Sequence, residues 1–455
     1  MPLEFEAAPP DVLAAGDTLD PGADHHQIAT HFLRQLRARA GGVEPVYSFG
    51  SFWLFDPGSS LWRARSMEGI AADIGAAYRG IKLCRKVTEY RQVAALASFV
   101  AEANDYFSEA PPGIAADGRF WSVDKAGNIQ NRALTATHRQ RVQAAAAPDF
   151  DAEAPLFNKL LDNAFGTAQS GEAQRELLQE ALGAALTKQL WRHRTVLMLF
   201  GATSTGKSTL LEIFKSFVPQ DVIGATSPQN WASEYYVAGL AGKMLNLVGE
   251  LDPHTPIPGG PFKAVTGGDV VEGRHPTHRP FSFVCDAGHV FNCNRLPPTR
   301  DKSDAFFRRW RIVEFKNPVP IGKEITSLAE RIIAEEHGAV LGWLLVGASR
   351  LAKRGSLPET AEHKRLVDYW RAANNSALQF LLDPEYCEAK PDHEVKALDV
   401  FEAYRKWASD TGLKPLGRNG FYEAAEDGAG RFGMRIYECA KKNTRTFLGV
   451  SLKKG

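Results

Sequence analysis

Residues 196–217 read VLMLFGATSTGKSTLLEIFKSF and decide the fold of the chain. The first five residues are apolar, and a short hydrophobic run that ends in glycine is typical of a parallel strand covered on both faces. Gly201, Gly206 and Lys207 then satisfy the pattern G-x-x-x-x-G-K-[ST]. The last nine residues have the period of an amphipathic helix. The stretch therefore predicts a strand, a glycine-rich loop and a helix, the local structure that binds nucleotide phosphates.

Each residue type in this loop has a physical role in holding phosphate. Positions without a side chain let backbone N–H groups surround the β-phosphate at a helix N-terminus. The ammonium of Lys207 would neutralise β- and γ-phosphate charge, and the hydroxyl of Ser208 can ligate Mg²⁺. We therefore predict ATP and Mg²⁺ as cofactors, with a ligand-free glycine-rich turn as the alternative. The predicted nucleotide-binding residues are Gly201, Thr203, Ser204, Thr205, Gly206, Lys207, Ser208 and Thr209.

Bulk composition narrows the class of protein. A length of 455 residues predicts two to four domains. The chain is 44% hydrophobic with a net charge of +1, so the global balance identifies no partner. No apolar run reaches the roughly 18 residues that span a bilayer, and the N-terminus lacks a secretion signal, so we expect a cytoplasmic protein with no membrane partner. The five cysteines contain no C-x-x-C pair, which fits a reducing compartment and offers no zinc ribbon.

Two later strands are expected to bring polar side chains to the same edge of the sheet. The apolar run MLNLV is followed by Glu250, whose carboxylate would hold Mg²⁺ through water or polarise an attacking water. Asp252 is the second possibility, and a plain surface turn is the alternative. The strand HVFNCNRLPP places Asn292 and Asn294 at alternate positions on one face. A neutral amide there can hydrogen-bond both γ-phosphate and water, and an asparagine that caps a turn is the alternative.

A basic cluster precedes the final apolar strand of this region. Arg308, Arg309 and Arg311 stand among aromatic residues in FFRRWRIVEF. At least one of them could leave its own subunit and reach a neighbour's γ-phosphate as an arginine finger. A solvated or aromatic-stacked cluster is the alternative.

Taken in order, these motifs resemble a known family. GATSTGKST, LNLVGE, KAVTGGDVVEGR, FNCNRLP and FFRRWRIVEF resemble the superfamily 3 helicases, specifically the helicase portion of phage, plasmid and poxvirus primase-helicases. The resemblance implies an α/β P-loop ATPase core of the AAA+ type and a homo-oligomeric ring, expected to be a hexamer. It assigns phosphate and Mg²⁺ to Lys207 and Ser208, the second-motif acid and metal contact to Glu250, the sensor to Asn294 and the arginine finger to Arg309.

The sequence also departs from the family. Gly249 precedes Glu250 where many ATPases carry a second acid. Asp149 and Asp151 resemble the metal-binding pair of a polymerase, but they lie in an Ala- and Pro-rich tether, and only a rigid element holds two ions at a fixed separation. We therefore expect no primase active site, and a separate primase is a possible partner.

The segment between the acid and the sensor is the predicted single-stranded DNA site. In the family that segment is a hairpin that enters the central channel of the ring, and here its turn carries Arg274, His275, His278 and Arg279. Residues 274–316 contain nine Lys and Arg against four Asp and Glu. A basic tip would grip phosphates without reading sequence, and a plain surface turn is the alternative.

The remaining segments complete the predicted organisation. Residues 391–455 indicate two helices and a β-hairpin turning at Lys442 and Asn443, which resembles a winged helix-turn-helix that binds duplex origin DNA or a protein. The predicted domains are an acidic disordered leader (1–26), an α+β N-terminal domain (27–150), a helical lead-in (151–194), the P-loop ATPase domain (195–385) and the winged helix (391–455).

These predictions combine into one function with two rivals. The favoured function is an ATP-driven ring DNA helicase that translocates on single-stranded DNA and replicates a phage, plasmid or related mobile element. The first rival is an ATP-dependent DNA-binding replication initiator without motor activity. The second is a small-molecule phosphotransferase, which would need a substrate pocket and would not respond to DNA.

Overall fold

The computed structural model describes residues 19–276, 280–320, 322–430, 433–439 and 444–453. The helices are α1 (His25–Arg39), α2 (Met67–Tyr78), α3 (Val87–Val100), α4 (Pro155–Phe165), α5 (Gln169–Leu186), α6 (Lys207–Lys215), α7 (Glu234–Ala238), α8 (Gly259–Gly267), α9 (Asp304–Phe307), α10 (Leu328–Glu335), α11 (His337–Arg354), α12 (Ala361–Ala373), α13 (Ser376–Leu381), α14 (Ala397–Asp410) and α15 (Arg418–Ala429). The strands are β1 (Val46–Ser48), β2 (Ser51–Asp56), β3 (Leu61–Arg65), β4 (Ile114–Ala116), β5 (Arg119–Val123), β6 (Ile129–Ala133), β7 (Val196–Gly201), β8 (Ile223–Gly224), β9 (Leu245–Val248), β10 (Val270–Gly273), β11 (Phe281–Val284), β12 (Gly288–Cys293), β13 (Trp310–Phe315), β14 (Cys387–Lys396), β15 (Arg435–Cys439) and β16 (Thr444–Leu452).

A five-stranded parallel sheet forms the centre of the chain. Its strand order is β13-β7-β12-β9-β8, and every neighbouring pair is parallel. Successive residues of β7 enter different hydrophobic clusters, since Leu197 and Leu199 face one and Val196 and Met198 face the other. Both faces are therefore covered, as the continuous apolar sequence of β7 predicts. The α/β class is confirmed by this sheet.

Helices cover the two faces of the sheet. The first face packs against α4, α5, α6, α10 and α11. The second face packs against α7, α8, α9 and α12, with an aromatic centre in which Phe262 stacks on Trp310 at 4.8 Å between ring centroids. Because β12 lies between β7 and β9, the carboxyl ends of all three strands meet at one edge.

The N-terminal region packs α1, α2 and α3 around the β1-β2-β3 sheet, and β4, β5 and β6 form a second small sheet. Partly buried hydrogen bonds and an ion pair connect this region to the segments around the central sheet. Arg141 donates to the carbonyl oxygen of Gly242 at 2.6 Å. Lys188 donates to the carbonyl oxygen of Phe107 at 3.3 Å and pairs with Asp286, which follows β11, at 2.5 Å.

Residues 1–18 of the predicted acidic leader lie outside the described residues. The end of that segment differs from the prediction, because α1 begins at His25, inside the predicted leader. Asp24 is its N-cap: the side chain accepts the N–H of Gln27, and the Gln27 side chain accepts the N–H of Asp24. This acid therefore starts a helix, where the composition of residues 1–26 indicated only a solvated tail.

The C-terminal region differs from the predicted helix-helix-hairpin order. β14 adds a third strand, which pairs antiparallel with β16 and gives the sheet order β14-β16-β15. Its hydrophobic cluster begins at Ala377, because α13 packs there with α14 and α15. Lys442 and Asn443 lie outside the described residues. Within the described ranges, no helix combines the length and apolar character required to cross a membrane.

Candidate functional site

The glycine-rich loop connects β7 to α6 through two positions that exclude side chains. At Gly201, a Cβ atom would lie 2.2 Å from the carbonyl oxygen of Phe315 on β13. At Gly206, φ is +93° and a Cβ atom would lie 2.7 Å from Cδ1 of Leu160 on α4. Both glycines of the sequence pattern are therefore required by close packing of the loop against its neighbours.

The N-terminus of α6 is open at this loop. Its N-cap residue, Gly206, provides no side-chain hydrogen bond to the helix. The first N–H groups of a helix have no partner within the helix, and the helix dipole is positive at that end. The loop therefore presents a partial positive charge, which favours the binding of an anion at this end of the helix.

A cavity of about 360 Å³ lies in front of the loop. It is lined by Thr203, Ser204, Thr205, Gly206, Lys207, Ser208, Thr209, Gly249, Glu250, Asn292, Cys293 and Asn294. The residues that the sequence analysis assigned to nucleotide, metal and sensor roles thus come together, except that Gly201 lies behind the lining. Its carbonyl oxygen accepts a hydrogen bond from Lys207 at 2.8 Å.

Lys207 is the buried cation of the cavity. It is 6% exposed, and Nζ donates to the carbonyl oxygens of Gly201 and Ala202 (2.6 Å) and to Thr205 Oγ1 at 3.3 Å. Burial lowers the pKa of Lys207, and the nearby Cys293 thiol and Glu250 carboxyl act in the opposite direction. An ammonium that donates only to neutral oxygens would form stronger hydrogen bonds with an anion.

Glu250 is the carboxylate of the cavity. It is exposed at the end of β9, and Asn294 Nδ2 donates to its Oε1 at 3.1 Å. Asp252, the second acid that the sequence offered, does not line the cavity. Its carboxylate accepts the hydroxyl of Thr255 and the backbone N–H of His254 at 2.9 Å, and these bonds lower its pKa.

Asn292 is a polar residue of the cavity to which the family pattern gives no role. It lies on β12, is 2% exposed and lines the cavity. Neither its Oδ1 nor its Nδ2 has a hydrogen-bond partner among the described residues. The sequence placed Asn292 on the same strand face as Asn294, but the sensor role was given to Asn294 alone.

The cavity fits a metal ion that keeps water and substrate oxygens as ligands. Its oxygen donors include the exposed hydroxyl of Ser208 and the exposed carboxylate of Glu250. No group of three or more His, Cys, Asp or Glu side chains suited to a metal occurs in the part of the chain that is described. Mg²⁺ is commonly held by one or two protein oxygens plus phosphates, whereas zinc sites use three or four protein ligands.

The arginines lie at the opposite end of the sheet from the loop. β13 runs parallel to β7, with Trp310 beside Val196 and Phe315 beside Gly201. Five residue steps of strand, about 16 Å, therefore separate the arginine end of β13 from the loop. Within the part of the chain that the structure describes, Arg308, Arg309 and Arg311 do not line the cavity in front of the loop.

Arg309 does not project into solvent, as a group donated to a neighbour would. It is 8% exposed, and its guanidinium donates to the carbonyl oxygens of Ala305 and Lys263, the latter at 3.5 Å. Burial lowers its pKa. Arg308, one residue earlier, is exposed. Arg311 is turned back, because its Nη1 donates to the carbonyl oxygen of Arg308 at 3.1 Å.

The predicted DNA-binding segment forms a separate two-stranded hairpin. β10 and β11 pair antiparallel. Arg274 follows β10 and pairs with Glu234 at 3.7 Å, and the His275 ring stacks on Phe281 at 5.3 Å between centroids. Neither residue lines the cavity. The other two predicted contacts, His278 and Arg279, lie outside the described residues.

The fold and the cavity define a mixed α/β protein with a polar site at the carboxyl edge of a parallel five-stranded sheet. Residues 199–309 match a family model described as "Family of unknown function (DUF5906)". No curated protein matches the chain.

Solved structures of one protein region are similar to the chain. The A-form apo structure of the NrS-1 C-terminal region has 12% identity and a TM-score of 0.47, covering 95% of this chain and 100% of that chain. Another A-form apo structure of that region has 11% identity and a TM-score of 0.45, covering 92% and 98%. A further apo structure of the region has 12% identity and a TM-score of 0.47, covering 96% and 100%.

Proposed function

We propose that the chain is an ATP-hydrolysing DNA helicase that works as a homo-oligomeric ring, expected to be a hexamer, and moves along single-stranded DNA. Its role would be replication of a phage, plasmid or related mobile element. The observation that carries this proposal is the convergence of the glycine-rich loop, Lys207, Glu250 and Asn294 on one cavity. These groups derive from three adjacent parallel strands, the arrangement on which phosphoryl-transfer sites are built.

The cavity supports ATP hydrolysis through its own side chains. The open N-terminus of α6 and the Lys207 ammonium would bind the β- and γ-phosphates. Glu250 would accept the proton of a water whose oxygen bonds to the γ-phosphorus as the bond to the β–γ bridging oxygen breaks. ADP and inorganic phosphate result. Ser208 and Glu250 would hold Mg²⁺, which supplies charge neutralisation on the phosphates when bound.

The position of the arginines supports catalysis between copies. The backbone at the amino end of β13 lies about 16 Å along the sheet from the loop of the same chain. A ring in which each copy packs its arginine end against the loop of the next would complete every site. Since Arg308 is exposed and Arg309 is buried, we propose Arg308 as the donated group.

Single-stranded DNA is the proposed track. Arg274 and His275 directly follow β10, beyond the last paired residues of the β10–β11 hairpin. The segment 274–316 is basic in sequence. Contacts of this kind are made to phosphates, so binding would be independent of sequence and would weaken as salt rises.

The proposal is tested by three measurements on the whole chain: ATP turnover with and without single-stranded DNA, particle mass with Mg-ATP bound, and displacement of a labelled strand. We expect DNA-stimulated turnover, a closed oligomer and strand displacement. A particle that stays a single copy with Mg-ATP and DNA present would contradict the ring. Assembly and turnover without strand displacement would favour the DNA-binding initiator, and turnover that ignores DNA would favour a small-molecule phosphotransferase.

A further inference from the structure

The two asparagines of the cavity, Asn292 and Asn294, differ in whether their side-chain amides have hydrogen-bond partners. The amide of Asn294 is engaged, because its Nδ2 donates to Glu250 Oε1 at 3.1 Å. The amide of Asn292 is 98% buried and has no partner for its donor or its acceptor among the described residues. A buried amide without partners is unfavourable for folding, and such groups in native proteins are concentrated at functional sites.

The sheet also contains a buried asparagine that is fully satisfied. Asn246 lies on β9 beside β12 and is 0% exposed. Its Oδ1 accepts the N–H of Thr226 at 2.9 Å, and its Nδ2 donates to the carbonyl oxygen of Thr226 at 2.9 Å. A strand asparagine in this sheet can therefore be satisfied by the protein alone. Asn292 lines the cavity instead, and its amide is available to bind a ligand.

We infer that Asn292 contacts the γ-phosphate and the attacking water, and that Asn294 positions Glu250 and does not read the phosphate. Nδ2 of Asn292 would donate to a γ-phosphate oxygen, and Oδ1 would accept a hydrogen bond from the water. One amide supplies both contacts, because it carries a donor and an acceptor side by side. The inference rests on the proposed ATPase function and assigns the sensing role to a different residue from the one that the family pattern marks.

The two roles are separated by comparing Asn292→Ala with Asn294→Ala in the full chain. For each variant, the dissociation constants of ADP and of a non-hydrolysable ATP analogue are measured with Mg²⁺, together with kcat and Tm. In Asn292→Ala we expect the preference for the triphosphate over ADP to fall about tenfold. ADP affinity should be unchanged, and kcat should fall about 10²-fold. In Asn294→Ala, kcat should fall while the triphosphate preference stays as in the wild type.

Thermal stability distinguishes a ligand-binding role of Asn292 from a structural role. If Asn292 were structural, its replacement would lower Tm. Asn292→Ala should keep or raise Tm, because it removes buried polar atoms without partners. The matched control Asn246→Ala should lower Tm and leave the triphosphate preference unchanged, because it breaks the hydrogen bonds that the Asn246 amide makes with Thr226 and His289. If the alanine variant fails to fold, the near-isosteric Asn292→Leu provides the same measurement.

Two results would overturn these statements, and they are distinguishable. An active wild-type enzyme whose Asn292 variants keep the triphosphate preference overturns the assignment of Asn292 and leaves the ATPase proposal standing. A wild-type chain that binds neither ADP nor the triphosphate overturns the proposed function, and the inference with it.

Discussion

Mixing two inactive variants gives the sharpest test of how the ring would work. Lys207→Ala removes the loop ammonium from its own site, whereas Arg308→Ala removes the guanidinium that this chain would give to a neighbour. Each variant alone should lose about 10³-fold or more in turnover, because every site in a uniform ring lacks one of the two groups. The arginine should not serve the loop of its own chain, because about 16 Å of sheet separates the amino end of β13 from that loop.

The size of the rescue follows from this geometry. In a randomly mixed 1:1 ring, a site is complete when the loop comes from an Arg308→Ala copy and the arginine from a Lys207→Ala copy. Each condition holds with a probability of one half, so about a quarter of the sites should recover if the interfaces act independently. The control for subunit exchange is a mixture in which the two variants carry different affinity tags, and co-purification of both variants through either tag shows that mixed rings have formed.

The outcome that refutes this reasoning is a mixture no more active than the mean of its two components, in a sample where the control shows exchange. Arg309→Ala provides a further comparison. Its buried guanidinium donates to backbone carbonyls of its own chain. Its removal should lower the free energy of unfolding by about 1–3 kcal/mol, whereas removal of the exposed Arg308 should change it little.

Three further outcomes are expected. Glu180 is 0% exposed, and burial raises its pKa from 4.5 to about 7. The contribution of Glu180 to stability is therefore fully present below pH 4.5 and is lost as pH rises through 7. Urea unfolding at pH 5 and pH 8 should show that Glu180→Gln removes this decline, which is worth up to about 3 kcal/mol. Gly206→Ala should lower Tm and nucleotide affinity in a binding titration, because φ is +93° and Leu160 occupies the Cβ position. Glu250→Gln should retain nucleotide binding and lose about 10²- to 10³-fold in kcat, while Asp252→Asn, a change outside the cavity, should leave turnover near the wild-type value.

Local patterns were sufficient for the parts of the site that depend on neighbouring residues. The run before Gly201 predicted a strand covered on both faces, and the parallel sheet bears this out. The pattern after it fixed the positions of Gly206 and Lys207, because a strand-loop-helix turn is made within a few residues. The carboxylate after MLNLV also reaches the cavity, since parallel strands end at one edge.

The local sequence does not predict which side chains are buried or paired when packing between distant segments decides it. Arg308 and Arg309 are adjacent and identical in type, and only the end of α9 and its packing against α8 determine which one faces inward. Likewise, alternation placed two asparagines on one face, but the chain pattern does not reveal which amide finds a partner.

The strand β14 was missed for a physical reason. Its sequence CEAKPDHEVK is polar and contains Pro391, which has no N–H and argues against a central strand. β14 is an edge strand, and its register shifts between Ala389 and Glu394, so the proline lies where the ladder is interrupted.

The connection between β11 and β12 has a mechanical consequence. Residues 285–287 span it, which is about 10 Å of fully extended chain at most, and Asp286 in the middle is clamped by Lys188 at 2.5 Å. One end of this continuous piece is the hairpin, and the other end carries Asn292 and Asn294. Because the connection is short and Asp286 is held by Lys188, the position of β12 constrains where β11 and the hairpin lie.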